Sequence, residues 1–202
     1  MKVELKPIFP TAVGLVKFDK GLTAKQKNFI VDLKRTPNQG NETSVDRYLA
    51  KHKVLSTLHN FCTESINNYF QEVYRPKYQV NLKITQMWAN YSQKGQWHHQ
   101  HEHPNSFLSA VFYMQSDKNL DKIYFSKPKY RQLSVHTEDF QAYNSDEWWF
   151  PTEENLLIIF PSDLTHRVAP VEAEKTRISI SMNTFPVGIL GNDASCTECI
   201  LK

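Results

Sequence analysis

The sequence predicts a mainly β protein, a sandwich or barrel of short strands buttressed by helices near the N-terminus. Two observations carry this prediction. Helical periodicity is confined to the stretch before residue 75, and from residue 78 onward short apolar runs alternate with prolines, glycines and asparagines. No internal repeat or low-complexity segment interrupts the pattern, so one domain is the simplest organisation.

Taken in order, residues 3–18 contain a strand that Pro7 and Pro10 interrupt, as an edge or first strand tolerates. Thr23 suits the N-cap of a helix over about 24–35, with Phe29, Ile30 and Leu33 on one side. Polar residues from Pro37 to Thr43 form a loop. A longer helix is predicted from about Val45 to Tyr74, because Leu55, Leu58, Cys62, Ile66, Tyr69 and Val73 recur at three- and four-residue steps. Cys62 lies in that stripe and reads as packing. Val80, Leu82 and Ile84 alternate as in a half-buried strand. Phe107–Met114, Ile123–Phe125, Leu156–Phe160 and Ile178–Met182 follow as further strands. Helical support thus spans about 22–75, the β core about 78–186, and residues 187–202 are expected to be a loose tail. The tail's Cys196-Thr-Glu-Cys199 has no second pair with which to complete a four-ligand site.

Composition narrows the class. With 202 residues the chain can bury a sizeable core, and 40 % apolar with 22 % charged residues is a globular balance. A net charge of +3 without any long like-charged run gives no electrostatic footprint for nucleic acid. Lys127 to Arg131, the most basic stretch, reads as a solvated loop. The first six residues carry charges at alternate positions and resemble no secretory signal, and no segment has the roughly 18 apolar residues of a membrane span. Three cysteines make no disulfide framework, which suits a reducing, cytoplasmic setting.

Chemistry is concentrated in histidines. Of eight, four fall between His98 and His103 in Trp97-His98-His99-Gln100-His101-Glu102-His103-Pro104. On a strand, residues i and i+2 share a face, so His101 can converge with His103 or with His99. Neutral imidazole is a ligand for iron, zinc and copper, but one strand cannot close a site. His166, after the turn Pro161-Ser162-Asp163, is the candidate third ligand. A single histidine has an ordinary surface or core role as its plain alternative; a cluster with a distal partner suits a metal. Arg177 and Ser179 share a face of the following strand. A guanidinium fork with a nearby hydroxyl suits a carboxylate, whereas an outward arginine on a solvated face would be inert.

The ordered set Asn90-Tyr91, Gly95-Gln96, His101-x-His103, Pro161-x-x-x-x-His166 and Arg177-x-Ser179 resembles the 2-oxoglutarate/iron(II) dioxygenase superfamily, near its prolyl hydroxylase-like branch. His-x-His-Pro-Asn-Ser followed by Ser109-Ala110-Val111-Phe112-Tyr113 is similar to small oxygenases of marine bacteria and their phages. The resemblance covers about residues 78–186. It implies a double-stranded β-helix, a jelly-roll or cupin-like barrel. It further implies that iron(II) is held by His101, His103 and His166, and that dioxygen and 2-oxoglutarate are co-substrates. Arg177 and Ser179 would hold the distal carboxylate of 2-oxoglutarate, and Asn90, Ser109 and Tyr113 would line its pocket. The implied activity is hydroxylation of an unidentified peptide or small molecule. One departure stands out: where the family places Asp or Glu as second ligand, this chain has His103, and Glu102 could replace it only through a bulge. Trp88, Trp97, Trp148 and Trp149 are candidate pocket walls, with core packing as the alternative. Two rival functions are a cupin-type metal dioxygenase, whose glutamate and glycine markers are missing here, and a non-catalytic jelly-roll binding module.

Overall fold

A computed structural model describes residues 3–127 and 135–202, so most of the basic stretch Lys127–Arg131, like Met1 and Lys2, lies outside the described residues. Twelve strands are present among the described residues: β1 (Gly14–Lys17), β2 (Arg35–Pro37), β3 (Glu42–Ser44), β4 (Val80–Ser92), β5 (His98–His101), β6 (Leu108–Gln115), β7 (Lys122–Ser126), β8 (Glu147–Pro151), β9 (Leu156–Pro161), β10 (His166–Val168), β11 (Arg177–Leu190) and β12 (Cys199–Leu201). Two α-helices, α1 (Ala24–Val31) and α2 (Ser56–Tyr74), precede β4.

The strands form two sheets. The larger has the order β1-β9-β6-β11-β4-β3-β2, with β12 added beside β11; the smaller runs β5-β10-β7-β8. Alternation along the strands divides the large sheet's residues between two cores. Met87, Ala89, Tyr91, Ala110, Phe112, Leu157, Ile159, Ile178, Ile180 and Met182 face Ile30 of α1 and Leu58, Cys62, Ile66 and Phe70 of α2. Val111, Tyr113, Leu156, Ile158 and Phe160 face Ile123 and Phe125 of the small sheet. Two open sheets packed face to face, with helices on the outer face of one, are the double-stranded β-helix arrangement the sequence pointed to.

Several boundaries differ from the sequence expectation, each for a local reason. The helix expected from Val45 starts at Ser56. Asp46 accepts from the Tyr48 backbone N–H at 2.7 Å and pairs with His52 Nε2 at 2.7 Å, which holds residues 46–55 in turns, including the 3₁₀ turns Leu49–Lys51 and Lys53–Leu55. Thr23 caps α1 in a capping box with Gln26, as expected, but α1 stops at Val31. Residues 35–37 and 42–44 instead form the hairpin β2–β3, which pairs through Glu42 and Thr43 with β4. The strand expected within residues 3–18 is present as Gly14–Lys17, but it lies after Pro7 and Pro10 and is not interrupted by them.

The expectation of a loose tail is overturned. β11 continues to Leu190, and β12 pairs with it from Gly188↔Leu201 to Leu190↔Cys199. Gly188 permits this at φ +120, where a Cβ would stand 2.1 Å from the Gln79 carbonyl oxygen. Cys196 and Cys199 are free and exposed, and Cys62 is buried, where desolvation pushes its thiol up and keeps it inert.

Candidate metal and co-substrate site

β10 lies between β7 and β5, so His166 at its start is directly opposite His101 at the end of β5. The chain after His101 turns back towards the large sheet, where the His103 N–H donates to the Ser162 carbonyl at 3.0 Å. Ser162 belongs to the turn before His166, and its hydroxyl meets those of Ser109 at 2.9 Å and Ser106 at 2.8 Å. This buried hydroxyl cluster ties both histidine-bearing segments to β6. One ring nitrogen each of His101, His103 and His166 lies within 4.8 Å of the others, with His103 Nε2 and His166 Nε2 3.3 Å apart.

Ring orientation is set from behind. His101 Nδ1 is 2.8 Å from the His99 carbonyl, and His166 Nδ1 is 2.9 Å from the Leu164 carbonyl. A carbonyl accepts only from N–H, so these Nδ1 atoms carry the protons and the Nε2 lone pairs point inward. Asn183 lies against His103 and favours its protonated form. Burial outweighs this: it pushes His103 down to about 4, lowers His101 and holds His166 well below the usual imidazole value, with neighbouring imidazoles adding to it. Neutral imidazoles with converged lone pairs are what a divalent transition metal binds. Glu102 is exposed and accepts from the Thr165 hydroxyl, so the carboxylate alternative does not enter this group.

Beyond the histidines, the inner face of the large sheet presents ordered rows across β4, β11 and β6. Asn90, Ser179 and Tyr113 are in register; Trp88, Ser181 and Val111 form the next row, and Asn183 pairs with Ser109. Arg177 begins β11 at the far end. Its side chain and that of Asp121 are 5 % and 2 % exposed, and its Nη1 is 3.3 Å from Asp121 Oδ1. Burial lowers the arginine's pKa, opposed by Asp121. Asp121 is fixed in turn by the Asp117 N–H at 2.9 Å and the Ser116 hydroxyl at 3.1 Å, and among the described residues most of the guanidinium's donors stay available for another partner. The Tyr113 hydroxyl beside this pair is buried with no hydrogen-bond partner among the described residues, and so is Asn90 Oδ1, whose amide nitrogen donates to Ser181 Oγ at 2.9 Å. Buried polar atoms without partners mark a place for a polar guest.

The sequence-predicted residues therefore meet as follows. His101, His103 and His166 converge, and Arg177, Ser179, Tyr113 and Asn90 share the inner face behind them, whereas the Ser109 hydroxyl is engaged with Ser162. Of the four tryptophans, Trp88 is at the site, its ring 5.9 Å from that of His103. Trp97 packs against Gly40, and Trp148 and Trp149 stand on β8, the edge of the small sheet opposite β5. Asp121 and Asn183 were missed. An aspartate in Asn-Leu-Asp-Lys reads as a surface loop, and no spacing rule announces its burial.

Residues 86–183 match the model of the family described as "Putative 2OG-Fe(II) oxygenase", a stretch that holds all three converging histidines and Arg177. No curated protein matches the chain in sequence. Among solved structures, the 2-oxoglutarate-dependent epimerase SnoN of nogalamycin biosynthesis is similar with a TM-score of 0.60 at 9 % identity, over 87 % of this chain and 78 % of that one. HygX from Streptomyces hygroscopicus, solved with nickel and 2-oxoglutarate, gives 0.58 at 9 % identity, covering 86 % and 82 %. A prolyl-4-hydroxylase from Pseudomonas putida gives 0.55 at 11 %, covering 86 % and 92 %. At these identities the structural likeness speaks for the fold, and the sequence match over the site-bearing segment speaks for the chemistry. The segment that carries the site thus matches the 2OG-Fe(II) oxygenase family, and the chain is an iron- and 2-oxoglutarate-dependent oxidoreductase.

Proposed function

We propose that the 202 residues act as one oxygenase domain in which His101, His103 and His166 hold the iron, Arg177 grips the distal carboxylate of 2-oxoglutarate, and a peptide or small molecule is hydroxylated. The observation that carries this is three neutral imidazoles with ring nitrogens within 4.8 Å, backed by a buried arginine on the same sheet face. Bound iron supplies activation of dioxygen coupled to oxidative decarboxylation of 2-oxoglutarate to succinate. The chain's own residues bind and orient. Tyr113 donates its otherwise unpartnered hydroxyl to the carboxylate held by Arg177, Ser179 and Asn90 border the same guest, and Trp88 walls the side next to His103.

Charge explains how the site dispenses with a carboxylate ligand. Three neutral imidazoles leave the cation's full divalent charge in place, while Asp121 cancels Arg177. The surplus is therefore divalent and matches the 2-oxoglutarate dianion, the same balance that a ligating carboxylate and an unpaired arginine would give. The chain works in the reducing cytoplasm, in line with free cysteines and with the lack, among described residues, of any helix long and apolar enough to cross a membrane. A peptide or a small-molecule substrate is in line with two structural neighbours, a prolyl-4-hydroxylase from Pseudomonas putida and HygX, solved with hygromycin B bound.

The test is 2-oxoglutarate titration of Arg177→Ala. Affinity falls by about 3 kcal/mol, the scale of a lost buried charge contact. Because Arg177→Ala also strands Asp121, the Arg177→Ala/Asp121→Ala pair is measured beside it. Stability returns in the pair and co-substrate affinity does not. Affinity restored in the pair would make Arg177 a structural ion-pair partner only.

A further inference from the structure

His98 and His99 are not used by the iron trio, yet they stand on the same strand end. β5 carries an irregularity against β10: His166 pairs with His101 and Val168 with His98, so three residue steps on β5 face two on β10. The extra residue turns His98 onto the side of His101, where the two rings stack at 4.7 Å and 14°. The His99 ring is also 4.7 Å from that of His101, and its buried Nδ1 has no hydrogen-bond partner among the described residues. One ring nitrogen each of His98, His99 and His101 lies within 4.8 Å of the others. β5 is the free edge of the small sheet, and all three rings are half-buried, so a solvated cation can reach them.

We infer that His98, His99 and His101 form a second, outer cation site that overlaps the iron site through His101 and takes zinc or another late divalent transition metal. Three imidazoles are a sufficient set for zinc, and metals late in the first row bind nitrogen ligands more tightly than iron(II) does. The two sites exclude each other. His101 Nδ1 donates to the His99 carbonyl, so its ring has one lone pair to give. A cation in the outer site draws His101 away from His103 and His166, and zinc there competes with iron loading.

This inference rests on His101 serving the inner trio and is tested by zinc titration of metal-free protein, with calorimetric stoichiometry and no turnover. Wild type binds one equivalent in total. His166→Ala, which breaks the inner trio, still binds one equivalent, and His98→Ala/His166→Ala binds at least about tenfold more weakly, the loss of a direct ligand exceeding that of an outer-shell partner. Two equivalents on wild type, no zinc on His166→Ala, or equal affinities of the single and double variants would each overturn it. If circular dichroism shows His166→Ala unfolded, His103→Ala takes its place with the same expectations. Iron and 2-oxoglutarate binding by wild type is read separately, so failure of the outer site leaves the oxygenase assignment standing.

Discussion

At the scale of single residues, the site depends on how each imidazole is held from behind. The Nδ1 contacts of His101 and His166 to carbonyls two residues earlier in the chain fix the tautomers that face inward. Replacing either by alanine removes one of the three proposed protein ligands. Iron content by elemental analysis of anaerobically purified His101→Ala or His166→Ala should fall to background, and wild-type content in either would refute the ligand assignment. Burial has a second consequence. His98 is pushed down to about 3 and His103 to about 4, chiefly by desolvation, against about 6.5 in an unfolded chain. A folded value below the unfolded one means that the stability contribution is complete above about pH 6.5 and is lost as pH falls through the folded values. The melting temperature of metal-free protein should therefore drop from pH 7.5 to pH 5, by less in His103→Asn. An equal drop in both would assign the effect to other groups.

Residue chemistry was the most legible part of the sequence. Alternation lets His101 share a face with His103 or His99, and Arg177 with Ser179; it is the resemblance to the oxygenases that singles out His103 and joins His166 and Arg177 to them. What spacing could not supply was the carboxylate partner of Arg177. Asp121 reaches it from the segment between β6 and β7, 56 residues away in the chain. The placement of His98 beside His101 was equally hidden, since strict alternation puts it opposite His99 and His101 and only the bulge turns it around.

At the scale of elements, β11 organises the molecule. It pairs with β4 along its length, with β6 over its first half and with β12 at its end, and its alternation sends Ile178, Ile180 and Met182 to the helices and Arg177 to the site. Its register shifts at Asn183/Thr184, where the Thr184 hydroxyl donates to the Leu108 carbonyl at 2.7 Å and accepts from the Leu108 N–H at 3.1 Å. Both bonds are buried. Thr184→Val should lose about 1–3 kcal/mol in chemical denaturation, the scale of stranded backbone groups; a change within about 0.5 kcal/mol would show that the bulge is held by other contacts. The long-range pairing of β12 was invisible in the sequence because its three residues carry no periodic signal. α2 began later than its apolar stripe suggested because Asp46 and His52 capture the backbone in turns first.

At the scale of the whole molecule, the division of the large sheet into a helix-facing core and a site-facing surface was readable from helices followed by short strands. Which strands adjoin was not, since β9, β6, β11 and β4 are neighbours by topology rather than by sequence order. That topology brings a trio from two distant segments to one end of the sandwich and a neutralised arginine to its inner wall. Anaerobic addition of 2-oxoglutarate to the iron(II)-loaded protein tests this directly, because a keto acid chelating iron(II) gives a visible charge-transfer band. The band should appear with wild type and vanish with His103→Ala. No band with wild type, or an undiminished band in His103→Ala, would contradict a three-histidine iron centre.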